Sequence, residues 1–170
     1  TVHNLSWSQM VTKYGYPTDA EGQPVEASEM VIIGYGKVGG LELSYSSDLD
    51  LVLLHNSYAM GSTTGERSQD NGVFYTRLGQ RMIHILTTQT RSGDLYEVDM
   101  RLRPSGNSGM IVATMKSFAE YQLKHAWTWE HQALVRARVL CGSTKAAAEF
   151  EAIRKETLSI PRELPKLREE

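Results

Sequence analysis

Hydrophobic and polar positions alternate in short stretches of this chain and recur at three- and four-residue intervals in others, so strands and helices are both predicted. Met30-Val31-Ile32-Ile33 is an apolar run of strand length, preceded by a stretch from 15 to 28 that Gly15, Pro17, Asp19, Gly22 and Pro24 punctuate as a linker. A second strand is predicted over 48–54, where Leu49, Leu51 and Leu53 alternate with Asp48, Asp50 and Val52. From about Asn71 to Thr88, Phe74, Leu78, Met82 and Ile85 form a helical stripe with Arg77, Arg81 and His84 on another face. Alternation returns over 95–102, with Tyr96, Val98 and Met100 on one side and Glu97, Asp99, Arg101 and Arg103 on the other, until Pro104 ends the strand. A short strand is predicted at 110–113, then helices over 115–123, 128–140 and 144–158. The fold class is therefore α+β, a small mixed twisted sheet with carboxylates on one face, flanking helices and C-terminal helices. Segments 1–27 (N-terminal segment and linker), 28–115 (core), 116–158 (helices of the same domain) and 159–170 (charged tail) divide the chain.

Composition narrows the function classes. At 170 residues, 41% hydrophobic and 22% charged, the chain is one ordinary globular domain. It has no apolar run of membrane-spanning length and no basic-then-apolar leader, so no membrane partner is expected; the missing initiating Met suggests a fragment. A single cysteine, Cys141, excludes an internal disulfide and cysteine-cluster metal sites, which favours a reducing cytoplasm. The net charge of -2 argues against broad nucleic-acid binding.

Gly34-Tyr35-Gly36-Lys37-Val38-Gly39 satisfies the dinucleotide fingerprint G-x-G-x-x-G after a predicted strand. It lacks the partner that fingerprint needs, because Asp48 and Asp50 come too early to hold a ribose and the repeated βαβ units are missing. A phosphate loop of the Walker type fails as well, since Lys37 is followed by Val38.

What survives is a glycine turn, Gly39-Gly40, followed after a short predicted helical segment by Ser47-Asp48-Leu49-Asp50, with Asp99 on a later strand. Residues two apart on a strand share a face, so Asp48 and Asp50 can share divalent cations and Asp99 can complete the cluster. Three close carboxylates repel unless neutralised, and Mg²⁺, which prefers oxygen ligands, suits them; two such ions about 3.5–4 Å apart would clamp an in-line displacement. Gly39 and Gly40, lacking β-carbons, would let backbone N–H groups approach a triphosphate.

Each of these has a plainer alternative. D-x-D pairs often lie on solvated edges. Arg101 and Arg103 either contact phosphate or pair with Asp48, Asp50 or Glu97, and Lys37 either reaches a phosphate or is simply exposed. Trp127, Trp129 and Phe118 read as core anchors rather than a base-stacking platform. His84, His125 and His131 read as structural or surface residues, and Glu130, Arg136 and Arg138 as helical ion-pair formers.

Taken together, Ile33-Gly34-Tyr35-Gly36-Lys37-Val38-Gly39-Gly40-Leu41-Glu42-Leu43, Ser47-Asp48-Leu49-Asp50-Leu51, Phe74-Tyr75-Thr76-Arg77-Leu78, Tyr96 to Gly106 and Ala126 to Arg138 resemble the glutamine synthetase adenylyltransferases. The likeness covers roughly 28–158. Gly34-Tyr35-Gly36-Lys37, Leu95-Tyr96-Glu97-Val98-Asp99 and Trp127-Thr128-Trp129-Glu130-His131-Gln132 look like the C-terminal, adenylylating half of that family rather than the deadenylylating one. Val38 departs from the commoner leucine, and the aspartates do not depart. The resemblance implies a polymerase-beta-type nucleotidyltransferase fold, with Asp48, Asp50 and Asp99 as catalytic metal ligands. It implies Lys37, Gly39, Gly40, Ser47, Arg101 and Arg103 as nucleotide contacts and Asp99 as ligand or base. ATP would be the donor and a tyrosine hydroxyl of glutamine synthetase the acceptor, with Mg²⁺ as cofactor. Phosphorolytic removal of AMP is the reverse alternative, and another acceptor is a third. PII-type signalling proteins would act only through regions outside this chain.

Overall fold

The computed structural model describes residues 1–44, 47–88 and 96–161. Helix α1, Val2–Tyr14, precedes strand β1, Met30–Gly34, and the one-turn helix α2, Gly36–Gly39. Strand β2, Leu49–His55, leads to helix α3, Asn71–Thr87, and to the two-residue strand β3, Val98–Asp99. After a 3₁₀ turn come β4, Val112–Thr114, and α4, Met115–Lys124; α5, Thr128–Leu134, β5, Arg138–Cys141, and α6, Thr144–Leu158, complete the described chain. This is the mixed sheet with flanking helices that the patterning predicts. No helix among the described residues is long and apolar enough to cross a membrane.

Strand β2 is the centre of the sheet. One edge pairs antiparallel with β1, Met30 opposite His55 through Gly34 opposite Leu51. The other edge is shared by two parallel strands, β3 beside its first residues and β4 beside its last, with Leu53 opposite Val112. β5 closes the far side of β1. Side-chain alternation then sorts the core. Met30, Ile32, Leu49, Leu51 and Leu53 face α1 and α3, meeting Phe74, Tyr75, Leu78 and Met82. Val31, Ile33, Val52 and Leu54 face the other way onto Met115 and Phe118 of α4, Leu134 of α5 and Phe150 of α6. Both faces of the sheet are covered, so β2 is apolar on both sides beyond Asp50, and strict alternation is confined to its start.

Several elements differ from the reading of the sequence. The N-terminal segment contains α1, whose Ser6, Met10 and Tyr14 are buried four residues apart while Trp7 packs edge-on against Phe74 at 5.5 Å. With a serine and a tyrosine in its inner row, it lacks an aliphatic stripe. The stretch 15–28 is tied down, because the Asn71 side-chain amide donates to the carbonyls of Thr18 and Tyr58. The strand predicted over 95–102 is a two-residue strand, and its start at Leu95 lies outside the described residues; beyond Asp99 the chain turns, with Arg103 N–H donating to Met100 O. The helix predicted over 128–140 stops at Leu134, and 138–141 is an edge strand instead. The stop is set by tertiary contact: Arg154 of α6 donates to the carbonyls of Leu134 and Val135, both at 2.7 Å, and Val139 then pairs opposite Ile33. The one described helical turn near Gly39-Gly40 precedes that pair rather than following it; Tyr45 and Ser46 lie outside the described residues.

Phe74 is fully buried where α1, α3 and the sheet meet. Replacing Phe74 with Ala is expected to cost about 3–5 kcal/mol in denaturant-unfolding free energy. A loss below about 1 kcal/mol would contradict this placement of the core.

Candidate active site

The acidic residues sit where the outer helices stop covering the sheet. Asp48 and Asp50 have the parity of Val52 and Leu54, so they continue the row that is buried under α4 and α6 farther along the strand. Asp99 is the register partner of Asp50 across the parallel β2–β3 pair, and parallel partners project to the same side. The backbone fixes this end firmly. Leu49 N–H donates to Glu97 O at 2.8 Å, and Tyr35 N–H donates to Asp50 O at 2.9 Å, so β3 and the start of α2 both hold the strand.

Electrostatics tie Asp50 to its two acidic neighbours. Partial burial, followed by repulsion from Asp99 and Asp48, raises the Asp50 carboxyl above its ordinary range, with Arg101 and Lys37 opposing the shift. Asp99 is moved the other way by hydrogen bonds from Arg101. Arg101 donates its backbone N–H to Asp99 Oδ1 at 2.8 Å and its Nε to Oδ2 at 2.7 Å, while Nη2 completes the ion pair. A cavity of about 490 Å³ opens here, lined among others by Asp48, Glu97, Asp99, Arg101, Arg103 and Asn107.

The other sequence-predicted residues divide by task. Lys37 is exposed on α2 and electrostatically close to Asp50. Ser47 is buried and closes a small loop, its Oγ accepting from Ser44 N–H at 3.1 Å. Arg103 uses its guanidinium on the carbonyls of Met100, Asn107 and Gly109, bracing the turn after β3. The N–H groups of Gly39 and Gly40 already donate to Tyr35 O and Gly36 O inside α2, so these glycines supply space rather than donors. A Cβ on Gly39 would lie 1.9 Å from Arg136 O.

Sequence reading passed over Gly36, whose φ of 52° and closeness to Asp50 make it part of the site: a Cβ there would lie 2.4 Å from Asp50 Oδ2. Its signal was the G-x-G doublet, which a dinucleotide reading cannot use. Trp127 and Trp129 are exposed rather than core anchors, whereas Phe118 is buried as expected. Trp127 caps α5 and Trp129 lies in its first turn, while the inner face of the helix is filled by Glu130, His131 and Leu134. His84 and His125 are surface residues and His131 is buried. Arg138 lies on β5, and Arg136 in the turn before it.

The donor set suits Mg²⁺, since it consists of aspartate oxygens whose mutual repulsion a cation would relieve. Among the described residues, however, no group of three or more His, Cys, Asp or Glu side chains is gathered closely enough to hold an ion as they stand. Asp99 is turned onto Arg101.

Comparison with known proteins decides the lineage. A family model described as Glutamate-ammonia ligase adenylyltransferase matches residues 1–153. The chain belongs to that family. Proteins named bifunctional glutamine synthetase adenylyltransferase/adenylyl-removing enzyme are similar to it along almost its whole length. The one from Hahella chejuensis is 56% identical over 97% of this chain, that from Pseudomonas aeruginosa 54% over 99%, and that from Pseudomonas putida 53% over 98%. In each case the matched region is 17% of the relative's length, so the chain spans about one sixth of the adenylyltransferases it matches. The family match includes α1, which lies outside the likeness over 28–158.

A raised carboxylate means that the charged form of Asp50 opposes folding above its shifted pKa, and that this opposition disappears as falling pH protonates it. In chelator-treated protein at neutral pH, Asp50→Asn is therefore expected to raise the melting temperature, and the gain is expected to decline as pH falls below that raised pKa and to vanish below the ordinary carboxylate range. A gain that persists undiminished in acid, or a loss at neutral pH, would contradict the crowding of charge at this site.

Proposed function

We propose that this chain is a polymerase-beta-type nucleotidyltransferase core that moves AMP from ATP to a tyrosine hydroxyl of glutamine synthetase and releases pyrophosphate. The observation that carries the reading is the register pairing of Asp50 with Asp99, with Asp48 two residues earlier, on an open end of the sheet in a member of an adenylyltransferase family. In the reaction the phenolic oxygen attacks the α-phosphorus, and the bond from that phosphorus to the bridging oxygen breaks. The phenol proton must leave, because a tyrosine with an ordinary pKa near 10 is protonated at neutral pH. Asp48, Asp50 and Asp99 would hold Mg²⁺, two ions in the full arrangement, supplying charge neutralisation for the transferred group. While Arg101 holds Asp99, that carboxylate is a poor proton acceptor; freeing it makes it both a better base and a better ligand. Arg101, once released, is a cation already at the site, suited to the transferring phosphoryl group. Lys37 is a second positive group beside Asp50.

The names of the relatives combine adenylyl transfer with adenylyl removal, and reverse phosphorolysis would use the same carboxylates. The adenylylating direction is favoured by the wording of Gly34-Tyr35-Gly36-Lys37 and Trp127 to Gln132. PII-type regulators belong, on this reading, to the remainder of the longer protein.

Incubation with α-labelled ATP, Mg²⁺ and unmodified glutamine synthetase is expected to label glutamine synthetase. The Asp48→Asn, Asp50→Asn double variant is expected to lose at least about a hundredfold in rate, in line with removal of groups that stabilise charge in the transition state. Equal labelling by both proteins would reject the site, and phosphate-dependent release of AMP from the modified enzyme without forward labelling would reverse the assigned direction.

A further inference from the structure

Arg136, which reads in the sequence as a helical ion-pair former, lies instead against the glycine turn. The turn that ends α5 and the edge strand β5 bring it there: Arg138 pairs opposite Gly34, and the carbonyl of Arg136 abuts Gly39. The guanidinium rests on Gly40, where a Cβ would meet Nη2 at 2.5 Å, Nε at 3.0 Å and Cζ at 3.2 Å. It forms an ion pair with Glu42 in which both side chains are about half exposed or more, at 46% and 63%. The neighbouring arginine has a different task. Arg138 donates Nε to Gly39 O at 3.2 Å and Nη2 to Val38 O at 3.1 Å, so it is committed to the carbonyl end of α2.

From this arrangement we infer that Arg136 binds the β- and γ-phosphates of the nucleotide donor, and that Glu42 is the anion it exchanges for them. The inference rests on the adenylyl-transfer reading and extends it to the leaving group. Three features support it. The guanidinium packs directly over Gly40, where the absence of a side chain leaves it room. An exposed carboxylate partner contributes little and is readily exchanged. A guanidinium presents paired N–H groups that match phosphate as well as carboxylate. Lys37 is exposed on α2, the helical turn that ends at Gly39. Arg136 thereby supplies positive charge beside the glycine turn, where pyrophosphate would depart.

The test is calorimetric titration of the chain, with Mg²⁺, against α,β-methylene ATP and against AMP, for wild type, Arg136→Ala, Arg136→Lys, Arg138→Ala and Glu42→Gln. Arg136→Ala is expected to weaken binding of the ATP analogue about tenfold while changing AMP binding less than about twofold, with Arg136→Lys in between. Glu42→Gln is expected to tighten the ATP analogue, since the guanidinium is freed. Arg138→Ala, which unpins the turn, is expected to lower the melting temperature and to weaken both ligands together. If Arg136→Ala leaves the ATP analogue unaffected, or weakens both ligands equally with a lowered melting temperature, the inference fails and Arg136 is structural. If wild type binds neither nucleotide, the adenylyl-transfer reading itself fails, and the inference with it.

Discussion

The acidic end of this sheet stays in place because β2 is held on both faces and along both edges. Leu51 and Leu53 are clamped by α1 and α3, Val52 and Leu54 by the C-terminal helices, and fully burying one such side chain is worth roughly 1.5–3 kcal/mol. Against that anchorage the repulsion among Asp48, Asp50 and Asp99 is a local cost which the fold tolerates. The carboxylates lie in the same row as buried valine and leucine, so they cannot separate without a register change that would turn the whole row to the other face. A cluster of like charge, retained by a core that does not need it, is the usual mark of a site selected for chemistry.

Charge compensation explains the remaining arrangement. Arg101 satisfies Asp99 through three hydrogen-bonding contacts in the chain as it stands, while burial and repulsion leave the Asp50 carboxyl raised despite Arg101 and Lys37. The glycine turn is organised in parallel fashion. Arg138 fixes its carbonyls and Arg136 covers Gly40, so the β5 edge, rather than the turn itself, determines how that surface is presented. The acidic end and the basic turn are joined through Tyr35, whose N–H binds the Asp50 carbonyl one residue before α2 begins.

Elements with strong internal periodicity were legible in the sequence. Met30–Gly34, the apolar body of β2, the Phe74-Leu78-Met82 stripe and the terminal helix 144–158 appear where expected, because local pattern and tertiary burial agree there. Reading failed where distant contacts decide. The end of α5 depends on Arg154, twenty residues away, and β5 depends on an open edge of β1, so Arg136 and Arg138 were assigned to a helix they do not join. The exposed tryptophans follow from the same cause, as burial depends on which turn of α5 faces α6. Asp48 and Asp50 were singled out by their spacing together with the glycine turn before them and the apolar run after them, and Asp99 by an alternation that was real for only two residues. Gly36 was overlooked because its reason, contact with Asp50, is a matter of three-dimensional approach.

The central claim is that the three aspartates form one cation-binding group. Titration with Mn²⁺ in the presence of a non-reacting ATP analogue, followed by electron paramagnetic resonance of the free ion, tests it directly with wild type beside Asp50→Asn and Asp99→Asn. The account expects saturable binding by wild type that weakens sharply in both variants. Equal binding by all three proteins would contradict it.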